Sequence, residues 1–165
     1  MELLIVRHAP AVERGTPGYE DDDTRPLTEE GEKKFRKAAR GLARILPKPD
    51  VLLTSPLPRA HRTAELAADA WGGAGLSVAP PLAGGSIKEI AGLVAAHRAA
   101  ALVALFGHEP DVSELLAHLL GSPRSERTAF KKGGACLVEL GSGGLEGGGR
   151  LVWFLPPRIL RELGD

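Results

Sequence analysis

Three short apolar runs, each cut off abruptly by a polar or glycine-containing step, constrain this chain more than any other feature. They are Glu2-Leu3-Leu4-Ile5-Val6 before Arg7-His8, Val51-Leu52-Leu53-Thr54 before Ser55-Pro56, and Ala101 to Phe106 before Gly107-His108. Runs this short and this uniformly apolar read as strands buried on both faces. Helical patterns separate them. Thr28 is placed to cap a helix whose first turn holds Glu29 and Glu30. Its apolar face runs through Phe35, Ala38, Ala39, Leu42 and Ile45 until Pro47 stops it. Ser55 followed by Pro56 predicts the start of a second helix, with Ala60, Ala64, Ala67, Ala68 and Trp71 on one face and Gly72-Gly73 at its end. A weaker strand is expected over Leu76 to Ala79, and a helix over Ile87 to His97. Asp111 and Glu114 suggest a capping box for a helix ending near Leu120. Leu137 to Leu140 and Leu151 to Phe154 read as a hairpin, and Pro156 to Leu163 as a short terminal helix.

Strands alternating with helices argue an α/β fold. The expected form is a three-layer sandwich: a mainly parallel central sheet with one antiparallel edge, and helices on both faces. At 165 residues, with no repeat and no linker-like stretch, one domain over 1–165 is expected. Aromatic residues make up only 4%, so the core must be built from Ala, Leu, Val and Ile. Lys plus Arg and Asp plus Glu each number 21, a balance that argues against bulk binding to nucleic acid or to a membrane surface. No apolar run approaches the roughly 18 residues of a spanning helix, and no signal-like segment opens the sequence, so a cytoplasmic location is expected. Cys136, the single cysteine, lies in an apolar stretch and reads as buried and inert. The Gly-rich segment Gly141 to Gly149 has no Lys-Ser/Thr ending and reads as a flexible turn rather than a phosphate loop.

In a parallel sheet the C-terminal strand ends share one edge, where ligands bind. That edge would bring together Arg7-His8, Ser55 to Arg59 and Gly107-His108. Two histidines and two arginines without a carboxylate suit an anion, specifically a phosphoryl group. Guanidinium forks hold phosphoryl oxygens in fixed positions. Neutral imidazole is a competent nucleophile near pH 7, and neighbouring arginines would keep it neutral. A second, protonated histidine would stabilise charge on the transferring group. The N-terminus of the helix after Ser55 would add backbone donors. His-x-His and His-x-x-x-His spacings are absent, so neither a metal nor a cofactor is suggested.

These segments resemble the histidine phosphatase superfamily. Leu4-Ile5-Val6-Arg7-His8-Ala9 is similar to its N-terminal Arg-His signature, and Arg25-Pro26-Leu27-Thr28 with Gly31 to its second segment. Ser55-Pro56-Leu57-Pro58-Arg59-Ala60-His61-Arg62-Thr63-Ala64 is similar to the Ser-Pro-x-x-Arg-Ala-x-x-Thr-Ala stretch, and Gly107-His108-Glu109-Pro110 to the second histidine motif. The match runs in order from Leu3 to about Gly121. The short chain, the Arg-Pro-Leu-Thr segment, Phe130 to Ala135 and the Trp153-to-Leu160 ending resemble SixA-type phosphohistidine phosphatases most. The resemblance implies His8 as nucleophile, Arg7 and Arg59 as phosphoryl ligands, and His108 as the second histidine of the pocket. Ser55 is a further candidate for substrate binding. Arg25 has two readings, one at the pocket edge and one paired with Asp21 to Asp23.

Larger members of the superfamily carry an acidic proton donor in an insertion that is short here, Pro80 to Ser86. Glu89 and Glu109 are the nearest candidates. An imidazole leaving group departs with less acid help than an alkoxide, so a weak donor favours phosphohistidine on a protein. Small phosphorylated metabolites are the alternative substrates. A mutase would need more chain to enclose an intermediate, and a non-catalytic anion-binding module would not need the complete Arg7, His8, Arg59 and His108 set. His61, Arg62, His97 and His118, and the acidic run Glu20 to Asp23, receive no chemical role.

Overall fold

The computed structural model describes residues 1–143 and 145–165. Strand β1 (Glu2–Arg7) lies inside a six-stranded sheet. Leu3, Leu4, Ile5 and Val6 are all fully buried, which explains why the run does not alternate with polar residues. β1 pairs in parallel with β4 (Leu102–Gly107), which pairs in parallel with β2 (Val51–Thr54), which pairs in parallel with the short edge strand β3 (Leu76–Val78). On its other side β1 runs antiparallel to β5 (Ala135–Leu140), and β5 to β6 (Gly149–Leu155). The order is β3-β2-β4-β1-β5-β6. The hairpin starts earlier than the apolar pattern indicates, because Ala135 and Cys136 pair with Val6 and Ile5 of β1. The turn expected over Gly141 to Gly149 connects these strands, and Gly144 lies outside the described residues.

The two faces of the sheet build two cores. Leu4, Val6, Leu52, Ala104 and Phe106 pack under α1 (Glu29–Ile45), α2 (Pro58–Ala70) and α5 (Pro157–Leu163). Leu3, Ile5, Leu53, Val103 and Leu105 pack under α3 (Ile87–Ala96) and α4 (Asp111–Leu119). This is the expected three-layer α/β sandwich. Cys136 belongs to the second core, where burial pushes its thiol well above the ordinary range. No helix among the described residues is long and apolar enough to cross a membrane.

Thr28 caps α1 as expected, accepting from the Gly31 amide at 2.9 Å. Gly31 itself is required: a Cβ there would stand 2.0 Å from the Pro10 carbonyl oxygen, so the first turn of α1 sits directly on the chain two residues past His8. Two local expectations are corrected. Ser55 does not cap α2; the helix begins at Pro58 with Leu57 at the cap position, and Pro58 rather than Pro56 is its first residue. Asp111 and Glu114 form no capping box, because Asp111 is already helical and accepts from the Gly84 amide instead. The capping box lies at Ser86 and Glu89, where side chain and backbone bond reciprocally.

Candidate active site

Strand register delivers the two histidines together. Arg7 is the Cα partner of Gly107, so His8 and His108 leave the sheet side by side. The His8 amide then donates to the Gly107 carbonyl at 3.0 Å, and the Ser55 amide to that of Phe106 at 3.0 Å. After β1 the chain crosses over β4 to reach β2; after β4 it crosses over β1 to reach β5. The C-terminal ends of β1 and β4 thus flank a topological switch point, where an open sheet leaves a crevice. A cleft of about 440 Å³ lies there. Arg7, His8, Arg59 and His108 line it, with Arg25, Glu109 and the exposed Glu13, Arg14 and Lys132.

The His8 and His108 rings stand 5.2 Å apart between centroids, tilted by 53°. His8 Nδ1 is 2.7 Å from the Ala9 carbonyl oxygen. A carbonyl can only accept, so Nδ1 carries the proton and Nε2 keeps its lone pair. Burial, reinforced by His108, Arg59 and Arg7, lowers the His8 pKa to about 3. The arginines therefore act as expected, but desolvation is the larger cause. His108 Nε2 lies 2.8 Å from Ser55 Oγ. Its pKa falls to about 4, again from burial first and then Arg59 and Arg7. At neutral pH His108 is neutral here, a correction to the protonated partner expected from sequence.

Both arginines are held by backbone carbonyls. Arg7 donates through Nη1 to Phe130 O at 2.5 Å, and Arg59 through Nη1 to Asp22 O at 2.8 Å. Arg7 Nε, Arg59 Nε and His108 Nδ1 are buried without a hydrogen-bond partner among the described residues. Such atoms are costly unless a ligand uses them. Arg25 satisfies both of its readings: it lines the cleft, and its Nε donates to Asp22 Oδ1 at 2.8 Å. Hydrogen bonds from Arg25 and Arg14 hold the Asp22 carboxyl down to about 2. Ser55 is fully buried beside His108 and is not on the cleft wall.

The carboxylates separate clearly. Glu89 is engaged by Ser86, which lowers its pKa, and it lies away from the cleft. Glu109 lines the cleft, but its oxygens accept from Ser113 Oγ at 2.6 and 2.7 Å and from the Phe130 amide at 2.6 Å. Glu13 also lines the cleft and has no ion-pair partner among the described residues. Glu13 lies five positions after His8 in the first polar loop, where no motif marks it in the sequence. Thr63 lies within the Ser-Pro-x-x-Arg-Ala-x-x-Thr-Ala stretch, which does not reveal its contacts. Its Oγ1 accepts from the Ala9 amide at 3.0 Å and donates to the Arg59 carbonyl at 2.7 Å. Arg62 grips Glu32 and Glu65, tying α2 to α1 outside the cleft, and His61 lies beside Glu65. His118 lines a different depression near Ser122. Among the described residues no three or more His, Cys, Asp or Glu side chains are grouped to hold a metal ion.

Comparison with known proteins bears on the family and the fold. A model of the histidine phosphatase superfamily (branch 1) matches residues 3–83. An uncharacterised protein of Picosynechococcus sp. is 34% identical over 146 residues, spanning 87% of this chain and 86% of that one. The structure of the protein histidine phosphatase SixA complexed with tungstate superposes with a TM-score of 0.81 at 26% identity, covering 97% of this chain and 99% of the other. The alpha-ribazole phosphatase from Shigella flexneri, at 15% identity, shares the fold with a TM-score of 0.74 over 95% and 97% of the two chains. With its signature segments at one switch point of the sheet, and with SixA sharing the fold over nearly the whole chain, this protein belongs to the histidine phosphatase superfamily and is a phosphatase.

Proposed function

We propose that the chain, as one domain over 1–165, hydrolyses a phosphoryl group in two steps through phospho-His8. The single observation that carries this reading is the His8 tautomer. With Nδ1–H fixed on Ala9 O and the ring neutral, the Nε2 lone pair is available beside two guanidinium groups. Nε2 attacks phosphorus in line as the bond to the leaving atom breaks. Water then attacks the phospho-His8 phosphorus, the P–N bond breaks and inorganic phosphate leaves. Arg7, Arg59 and His108 hold the transferring oxygens, and their unpartnered Nε and Nδ1 atoms are the donors in reserve. A bound phosphoryl dianion would draw a proton onto His108 from its present neutral state.

The substrate favoured is phosphohistidine on a protein. The likeness to SixA supports it, as does the engagement of Glu89 and Glu109 elsewhere, since an imidazole leaving group needs little acid help. Glu13 favours a second reading, a small phosphomonoester, because a carboxyl at the cleft could protonate an alkoxide. Turnover of a phosphohistidine protein and of alkyl and aryl phosphates, with rapid quench for acid-labile phosphate on His8, tests both. The expected results are a trapped phospho-His8, no turnover by His8→Ala and unchanged rates in a metal chelator. Under the phosphohistidine reading Glu13→Gln leaves turnover of that substrate unchanged. A loss with Glu13→Gln that grows with the leaving-group pKa would move the assignment to phosphomonoesters. Transfer of the phosphoryl group to an organic acceptor instead of water would identify a mutase.

A further inference from the structure

Glu109 follows His108 directly, yet its carboxylate is committed to the segment that holds Arg7. One oxygen accepts from the Phe130 amide at 2.6 Å, and the Phe130 carbonyl in turn accepts from Arg7 Nη1 at 2.5 Å. Ser113 Oγ bonds the same carboxylate at 2.6 and 2.7 Å and also reaches the Thr128 carbonyl at 3.1 Å. Thr128 Oγ1 donates back to the Ser113 carbonyl at 3.1 Å. The Phe130 side chain is buried in the second core against Phe154, so the residue is fixed at its side chain as well. Beyond it, the Gly133 amide donates to the Arg7 and His8 carbonyls, and the Arg7 amide to Gly134 O.

We propose that Glu109 is a positioning residue for phosphoryl binding: it clamps the backbone of Phe130 so that the Phe130 carbonyl fixes the Arg7 guanidinium, leaving Arg7 Nε to the ligand. This rests on the reading of Arg7 as a phosphoryl ligand. It assigns Glu109 to the arm of the site that Arg7 supplies, whereas Arg59 is fixed separately by the Asp22 carbonyl. The carboxylate acts through its length and its acceptor oxygen, not through an acidic proton.

Two substitutions separate these properties. Glu109→Gln keeps the length: the amide oxygen still accepts from the Phe130 amide, and the amide nitrogen can donate to Ser113 Oγ. It removes the acid and the charge. Glu109→Asp keeps acid and charge but withdraws the oxygens by one methylene. The readout is binding of inorganic phosphate and of tungstate by calorimetry, with kcat on an aryl phosphate alongside. Positioning predicts that Glu109→Gln binds both oxyanions within about twofold of the parent and that Glu109→Asp weakens them about tenfold, the scale of one lost hydrogen bond. Adding Glu109→Asp to Arg7→Ala should weaken binding no further, while adding it to Arg59→Ala should cost the full factor. The proposal is overturned if Glu109→Gln is the weaker binder, if its kcat falls while binding holds, or if Glu109→Asp adds equally to both arginine variants. Because the cycle reads binding, it stands apart from whether phospho-His8 forms.

Discussion

His8 and Arg59 are both about 5% exposed, yet each keeps a working atom unbonded within the protein: the His8 Nε2 lone pair and the Arg59 Nε–H. Burying a guanidinium lowers its pKa and costs solvation, and the chain offsets this only partly, with the Asp22 carbonyl at 2.8 Å and the Asp22 carboxylate at 3.5 Å. A folded protein keeps such donors where a ligand completes them. Truncation of Arg59 should therefore cost transition-state stabilisation more than stability. Arg59→Ala is expected to lower kcat by roughly 10²–10³, comparable to loss of one oxyanion-hole donor. Arg59→Lys should recover little of it, because an ammonium cannot reach both the Asp22 carbonyl and a phosphoryl oxygen as a planar fork does. Steady-state kinetics on an aryl phosphate, with a thermal melt to confirm folding, checks both variants; a loss confined to KM would assign Arg59 to binding that the ground and transition states share equally.

Between elements, the site depends on how α2 meets the turn after β1, and one hydroxyl makes that joint. Thr63 Oγ1 takes the Ala9 amide and gives its proton to the Arg59 carbonyl, linking the residue after the nucleophile to the backbone of the phosphoryl ligand. Thr63→Val fills nearly the same space but leaves the buried Ala9 amide unpaired, a cost of about 1–3 kcal/mol. It should lower the melting temperature and, by loosening His8 against Arg59, reduce kcat by up to roughly 10². Thr63→Ser should restore both measurements. The same joint shows what a sequence can reveal. β1, β2 and β4 were legible because strands buried on both faces need unbroken apolar runs, and their endings marked Arg7-His8, Ser55 and His108. The start of α2 was not, because Ser55-Pro56 and Leu57-Pro58 present similar local signals, and Ser55 is engaged instead by His108 at the end of the neighbouring strand. Thr63 and Glu13 escaped for a related reason. Their roles depend on which loop faces which strand end, and no spacing along the chain encodes that. Arg25 was legible only as two alternatives, since the Asp22 loop that unites them folds back over the cleft.

Taken as a whole, the molecule has equal numbers of acidic and basic groups, but it places two uncharged histidines among its most desolvated cations. That arrangement sets its response to acid. In the unfolded chain both histidines take up protons near pH 6.5. In the folded protein His108 resists until about pH 4 and His8 until about pH 3. Between these limits the unfolded state binds up to two more protons than the native state, so the free energy of unfolding must fall as pH falls. The histidine contribution is complete only above the unfolded pKa, and declines steadily as pH falls through and below it. Asp22 acts in the same direction at lower pH. Its carboxyl is held near 2 against an ordinary 3.8, so the stabilisation from its arginine contacts is lost as pH drops through that interval. Acid should therefore destabilise the protein in two stages, the two histidines first and Asp22 at lower pH. Thermal melts at intervals from pH 7 to pH 4.5 should show a continuous decrease for the parent protein. The His8→Asn, His108→Asn double variant should be nearly flat over the same range and rejoin the decline below about pH 4, near the ordinary carboxylate pKa. Parallel slopes for the two proteins would mean that the histidines are solvated in the native state, and the neutral His8 on which nucleophilic attack depends would lose its physical basis.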